Sequence, residues 1–283
     1  MSQLDHGGAG AGTAPVCPRH PDTVSYVRCQ RCGRPTCPAC QRAAAVGVQC
    51  VDCVAEANAA LPVRRTTLGG RDRGRRPVLT MGLIGLSVLA FVVLRVVPEL
   101  RSRLAFVPLL GDAEPYRFLT AAFLHSGFLH LAVNMYALWI IGSVLEPMLG
   151  RWRYLTLYVL SAVGGSVGVL LLASPADDSW YTPVVGASGA VFGLFAAIGL
   201  ALRRYGRDAT QIVVLLAINA VIGFLPGFNI AWQAHLGGLV TGAALVAVYL
   251  YAPKEHRGWA GVAGSAAVAV LLVVLAVTSY GGL

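Results

Sequence analysis

The sequence predicts an all-α polytopic membrane protein with a small cysteine-rich domain near its N-terminal end. Three observations predict it. Of 283 residues, 56% are hydrophobic and 12% are charged, against roughly 25% charged in soluble domains. From Val78 onward, apolar runs reach the roughly 20 residues that cross a bilayer, broken by short polar connections. All 7 cysteines lie ahead of those runs.

Residues 1–14 are rich in Gly and Ala and are expected to be disordered. The opening "MSQLDHGGAGAGTAP" is small and polar, so no secretory signal peptide is expected there.

Residues 15–57 carry four ligand pairs: Cys17-x-x-His20, Cys29-x-x-Cys32, Cys37-x-x-Cys40 and Cys50-x-x-Cys53. Eight soft donors suffice for two tetrahedral zinc ions of a structural kind. Two intervening residues let both side chains of a pair converge on one metal without straining the turn. A disulfide framework is the alternative. It needs an oxidising compartment, whereas the charge pattern described below places this segment in the cytosol, and 7 cysteines cannot all pair within one chain. The arrangement resembles a B-box-type zinc finger. That resemblance implies a cross-braced domain, with pairs one and three on one ion and pairs two and four on the other. Spacing alone leaves sequential pairing open. The domain either folds for its own sake or recruits a cytosolic protein partner, and its residues leave both open.

A basic Pro/Arg/Gly linker, residues 58–77, leads into the membrane region. Seven spans are expected there, at about 78–97, 127–145, 152–173, 185–202, 209–225, 231–251 and 259–279. The connection 98–126 is long and half apolar ("LAFVPLLG", "RFLTAAFL") but interrupted. It is expected to lie at the interface or partly embedded.

The net charge of +9 invites a nucleic-acid partner, but its placement argues against one. Arg64, Arg65, Arg71, Arg73, Arg75 and Arg76 precede the first span, and basic residues recur at alternate connections: Arg151 and Arg153, then Arg203, Arg204 and Arg207, then Lys254 and Arg257. The opposite connections mix Arg95, Arg101, Arg103 and Arg117 with Glu99, Asp112, Glu114, Asp177 and Asp178. This is the positive-inside pattern. It predicts a multi-pass protein of the cell membrane with a cytoplasmic N-terminus and the C-terminus outside.

Polar groups inside a bilayer are costly and mark function. His130 and Asn134, four apart in "HLAVN", share a face of the second span. Ser188, in "GASG", is expected a few residues inside the fourth span, and His235, in "WQAHLGG", a few residues inside the sixth. These three spans run from outside to inside. At ~1.5 Å rise per residue, Ser188 and His235 should lie at one depth, about 6 Å down. Gly186, Gly189 and Gly193 flank the serine, and Gly238 and Gly242 follow the histidine at i+3 and i+7. Small faces of this kind let helices approach closely in lipid, which would bring Ser188 within reach of His235. Each piece alone reads as ordinary helix packing; together they read as a site. A serine hydroxyl is a weak nucleophile until a base takes its proton, which imidazole does near neutral pH. No Asp or Glu lies within the fourth, fifth or sixth span, so a Ser–His dyad is expected, with Phe192 placed to stack on the imidazole.

These residues resemble the rhomboid intramembrane serine proteases over roughly 116–245, through "RFLT" (117–120), "HSGFLHLAVN" (125–134), Glu146, "GASG" (186–189) and "AHLGGLVTG" (234–242). The resemblance implies a rhomboid-like six-helix core, 78–255, plus one C-terminal transmembrane helix, 256–283. It implies Ser188 as nucleophile and His235 as general base. His130, Asn134 and the Ser188 N–H are implied as the oxyanion hole, with His125 as a further site histidine. Gly186, Gly189 and Phe192 support the site, and Arg117 and Glu146 match structural positions. The function implied is endoproteolysis of transmembrane segments of other membrane proteins within the lipid bilayer, with no catalytic cofactor and no nucleic acid. A catalytically silent rhomboid-like adaptor, recruiting partners through the zinc domain, is the competing function. Such pseudoproteases normally lack the serine or the histidine, and both are present here. A metalloprotease is disfavoured because no HExxH occurs, and a transporter because no inverted repeat is visible.

Overall fold

The computed structural model describes residues 14–60, 76–224, 230–253 and 255–281. The expected disordered segment therefore lies, but for residue 14, outside the described residues, as does most of the linker. The chain separates into two compact units, Met1–Val63 and Arg64–Leu283.

The first unit pairs β1 (Val16–Cys17) with β2 (His20–Val24), and β3 (Gln41–Ala43) with β4 (Val48–Cys50), both antiparallel. Helix α1 (Val51–Ala60) follows, taking in residues assigned above to the linker. Its buried interior is made largely of cysteine: Cys17, Cys29, Cys37, Cys40, Cys50 and Cys53. So short a segment cannot build a sufficient apolar core, which is the situation in which metal takes over.

In the second unit, α2 (Val78–Val96), α5 (Phe128–Leu149), α6 (Arg151–Leu172), α7 (Ser188–Arg204), α8 (Thr210–Phe224), α9 (Trp232–Tyr251) and α10 (Arg257–Gly281) occupy the seven expected spans. Among the described residues, α2, α5, α6, α9 and α10 are long and apolar enough to cross a membrane. This is a multi-pass membrane protein. Helix α7 has 17 residues and α8 has 15. Helix α7 packs against α5, α6 and α9, and Gly189 to Ala197 are buried in an unbroken run. A helix walled in by protein need not match the bilayer thickness itself. By contrast, α2 and α10 expose Val88, Leu89, Val92, Val270, Leu271 and Val273, an apolar surface suited to lipid.

The end of α5 organises the start of α2. Glu146, 2% exposed, accepts the backbone N–H groups of Leu79 (3.0 Å) and Thr80 (2.8 Å) and the Thr80 hydroxyl (2.9 Å). A helix leaves its first N–H groups unpaired and partly positive, so a carboxylate from another helix satisfies both needs. Gly150, at φ +79°, makes the tight reversal from α5 into α6.

The connection 98–126 folds into α3 (Glu99–Leu104), α4 (Arg117–Thr120) and short 3-10 turns. As expected, it does not span. Arg117 is buried and donates to the carbonyls of Ser102 (2.6 Å) and Ala105 (2.7 Å) while pairing with Glu114. Phe106 and Phe118 fill the space beneath, ring centroids 4.6 Å apart.

Candidate active site

Ser188 is half-buried and is the first residue of α7. The sequence placed the helix start three residues earlier. The difference has a local cause: Val184 is extended and exchanges backbone hydrogen bonds with Phe106 (3.1 and 2.7 Å), so the helix cannot begin until that pairing ends. Gly186 then turns the chain at φ +137° and donates its N–H to Ala121 O (2.9 Å). A Cβ at Gly186 would lie 2.9 Å from His130 Nε2 and 3.6 Å from Ser188 Oγ. Only glycine fits there, and its absent side chain leaves one point facing both the hydroxyl and the His130 ring.

His235 is half-buried in the first turn of α9. Its ring stacks on Phe192, centroids 4.0 Å and planes 14° apart. Phe192 stands one turn beyond Ser188 on the same face of α7. Helices α7 and α9 touch directly. A Cβ on Gly238 would lie 2.9 Å from Gly189 Cα, one on Gly242 would strike Gly193, and one on Gly189 would lie 3.3 Å from Ala234 O. No helix therefore stands between the elements carrying Ser188 and His235. Among the described residues, no hydrogen bond joins the two side chains; catalytic contacts in ligand-free sites are often loose and tighten on substrate.

Sequence reasoning missed the third face of this junction. Gly164, Gly165 and Gly168 of α6 press on α9 and α7: a Cβ on Gly168 would meet Gly237 Cα at 2.9 Å, and one on Gly165 would meet Gly189 Cα at 3.2 Å. The signal was available in "GGSVG", small residues four apart.

His130 lies in the first turn of α5. Its Nδ1 accepts from the Ser126 N–H (3.4 Å) and lies 2.9 Å from Ser126 Oγ. A backbone N–H only donates, so the neutral ring carries its proton on Nε2, the nitrogen facing Gly186. Ser126, which the sequence reading passed over, thereby sets the tautomer. Asn134 is buried, and its Nδ2 donates to His130 O at 2.8 Å. One amide hydrogen is thus used within the helix, leaving the second for the site. His125 is 4% exposed, meets His130 edge-on at 5.2 Å, and finds no partner for either ring nitrogen among the described residues. Ser188, His235, Phe192, Gly186, Gly189, His130, Asn134 and His125 thus gather at one end of the bundle.

The N-terminal unit groups its donors as Cys17, His20, Cys37 and Cys40, and as Cys29, Cys32, Cys50 and Cys53, each set within 4.8 Å. The pairing is cross-braced, and all 7 cysteines are free of disulfides. The donor spacing fits zinc. Zn–S bonds of about 2.3 Å in a tetrahedron put sulfurs about 3.8 Å apart; Cys32 Sγ and Cys50 Sγ are 3.8 Å apart. His20 Nδ1 lies 3.3 Å from Cys37 Sγ and 3.4 Å from Cys40 Sγ. Backbone hydrogen bonding, chiefly from Cys37, pulls the Cys17 thiol down to about 6, and bonding from Cys32 and Cys50 does the same for Cys29. Burial pushes Cys40 up to about 11 and raises Cys53 as well. Each set therefore mixes a ready thiolate with a thiol that a dication would ionise.

Residues 112–252 match the Rhomboid domain family. The chain is 34% identical over 230 residues to rhomboid protease GluP of Bacillus subtilis (strain 168), covering 76% of this chain and 42% of that protein. It is 36% identical over 163 residues to rhomboid-type serine protease 2 of Emericella nidulans, covering 55% of this chain and 31% of that one. With YdcA of Bacillus subtilis, whose name also places it among rhomboids, it shares 34% identity over 152 residues, 73% of that protein. The chain belongs to the rhomboid family. It spans less than half the length of GluP and of the Emericella protein. The Rhomboid domain match encloses the whole gathering of side chains from Arg117 to His235, and leaves the N-terminal cysteine sets and α10 outside it.

Proposed function

We propose that this rhomboid is an intramembrane serine endopeptidase cleaving transmembrane segments of other membrane proteins, with Ser188 as nucleophile and His235 as base. One observation carries the reading: the His235 imidazole is stacked on Phe192, one turn beyond Ser188. Relatives named as rhomboid and serine proteases support it.

In this reading His235 takes the Ser188 proton as Oγ attacks the scissile carbonyl. His130 Nε2–H, the spare Asn134 amide hydrogen and the Ser188 N–H stabilise the developing oxyanion. Protonated His235 then gives its proton to the departing amine, and water releases the acyl group by the same steps. The dyad has no carboxylate, so the Phe192 stack supplies the orientation a third member would.

The remaining assignments follow the charge pattern and the donor sets. The N-terminus is cytoplasmic and the C-terminus outside. Residues 15–57 form a zinc domain holding two structural ions, 78–255 the protease core, and 256–283 an added helix. Bound zinc would tie together the four donors of each set, as the small core requires. Ser188→Ala and His235→Ala, each assayed on a reporter transmembrane substrate in membranes, should reduce cleavage to background. Undiminished cleavage in both refutes the assignment.

A further inference from the structure

Helix α10 lies outside the Rhomboid domain match, yet its last turn is tied to the connection 98–126. Tyr280 donates its hydroxyl to Pro108 O at 2.7 Å, across 172 residues of chain. The fit is close: a Cβ on Gly111 would collide with that hydroxyl. Trp180 meets the Tyr280 ring edge-on at 6.1 Å. Pro108 stands two residues past Phe106, and Phe106 is the residue whose backbone pairs with Val184. Val184 precedes Ser188 by four positions. Leu272 and Tyr280 of α10 also share one apolar cluster with Phe106, Val184 and Ala234, the neighbour of His235.

The geometry points to Tyr280 as a positioning residue: by fixing Pro108 it holds the Phe106–Val184 pairing, and through it the Gly186–Ser188 turn, in register for reaction. This rests on the protease reading above. Among the described residues, loss of the hydroxyl leaves Pro108 O with only the Gly111 N–H (3.2 Å), and loosens the extended segment leading to the nucleophile while the helix stays packed. At the opposite end of α10, Ser265 bonds Tyr249 at 2.7 Å. It anchors the same helix without touching the connection 98–126, and so serves as the control.

The test compares full-length Tyr280→Phe, Ser265→Ala and the unaltered chain in micelles, by hydrogen–deuterium exchange and by steady-state cleavage. Tyr280→Phe should speed exchange of the Val184 and Gly186 amides and lower kcat about threefold to tenfold, with KM unchanged. Ser265→Ala should lower thermal stability at least as much and do neither. Exchange at 182–188 unchanged by Tyr280→Phe overturns the proposal, as does a kinetic effect no larger than that of Ser265→Ala. If Ser188→Ala cleaves as fast as the unaltered chain, the protease reading fails, and the exchange comparison alone decides the role of Tyr280.

Discussion

The His235 imidazole lies flat on the Phe192 ring, 4.0 Å between centroids, so the orientation of the proposed base is set by a side chain from the helix that carries the nucleophile. The contact needs an aromatic face, not only apolar volume. Phe192→Leu should lower kcat about tenfold while shifting Tm by only a few degrees, because a comparable apolar volume still fills the core. Phe192→Tyr should retain near-normal turnover. Steady-state cleavage and thermal unfolding on the same preparations check both.

Ser126 acts on the site through His130. Removing its hydroxyl with Ser126→Ala keeps the backbone N–H that fixes the tautomer but leaves that 3.4 Å contact, among the described residues, as the remaining anchor of Nδ1, so the ring is held less firmly toward Gly186. Turnover should fall by about one order of magnitude. His130→Ala, which deletes the donor outright, should cost on the order of 10²–10³ in kcat. If Ser126→Ala matches the unaltered chain, the Ser126 hydroxyl does not position His130.

At Gly238 the glycine junction has no room for an added atom. A methyl on Gly238 would overlap the Gly189 carbonyl, whereas one on Gly82 meets nothing within 4 Å. Gly238→Ala should therefore destabilise the bundle by about 1–3 kcal/mol and separate α7 from α9, abolishing cleavage. Gly82→Ala should leave both stability and cleavage intact. Thermal unfolding in detergent distinguishes the two.

Much of the site was legible because apolar spans make polar residues conspicuous. Ser188, His235, His130 and Asn134 stood out against their neighbours, and the spacing of Gly238 and Gly242 announced a close helix contact. What escaped depends on partners far away in sequence. The delayed start of α7 follows from the pairing of Val184 with Phe106, and no local pattern at either residue encodes it. The Tyr280–Pro108 bond is of the same kind. Ser126 was hidden differently, as an ordinary polar residue in a loop whose importance lies only in which nitrogen of His130 it meets. In the N-terminal unit the donor spacing was plain. The short strands were not, since they owe their existence to the clustered donors more than to strand propensity.

The two donor sets are separate, and so should be their metals. Elemental analysis should find two zinc ions per chain. Cys37→Ser should remove one and Cys29→Ser the other, and chelation should expose residues 15–57 to protease because a domain with so small a core depends on its metal. A stoichiometry of one, or a chelated domain as protease-resistant as before, would contradict the assignment.

In the proposed mechanism His235 makes Ser188 nucleophilic. The most direct measurement is labelling with a serine-directed fluorophosphonate, with the adduct mapped by mass spectrometry in the unaltered chain and in His235→Ala. One adduct is expected, on Ser188, formed at least a hundredfold more slowly without the imidazole. An adduct elsewhere, or equal labelling of Ser188 in both chains, would contradict it.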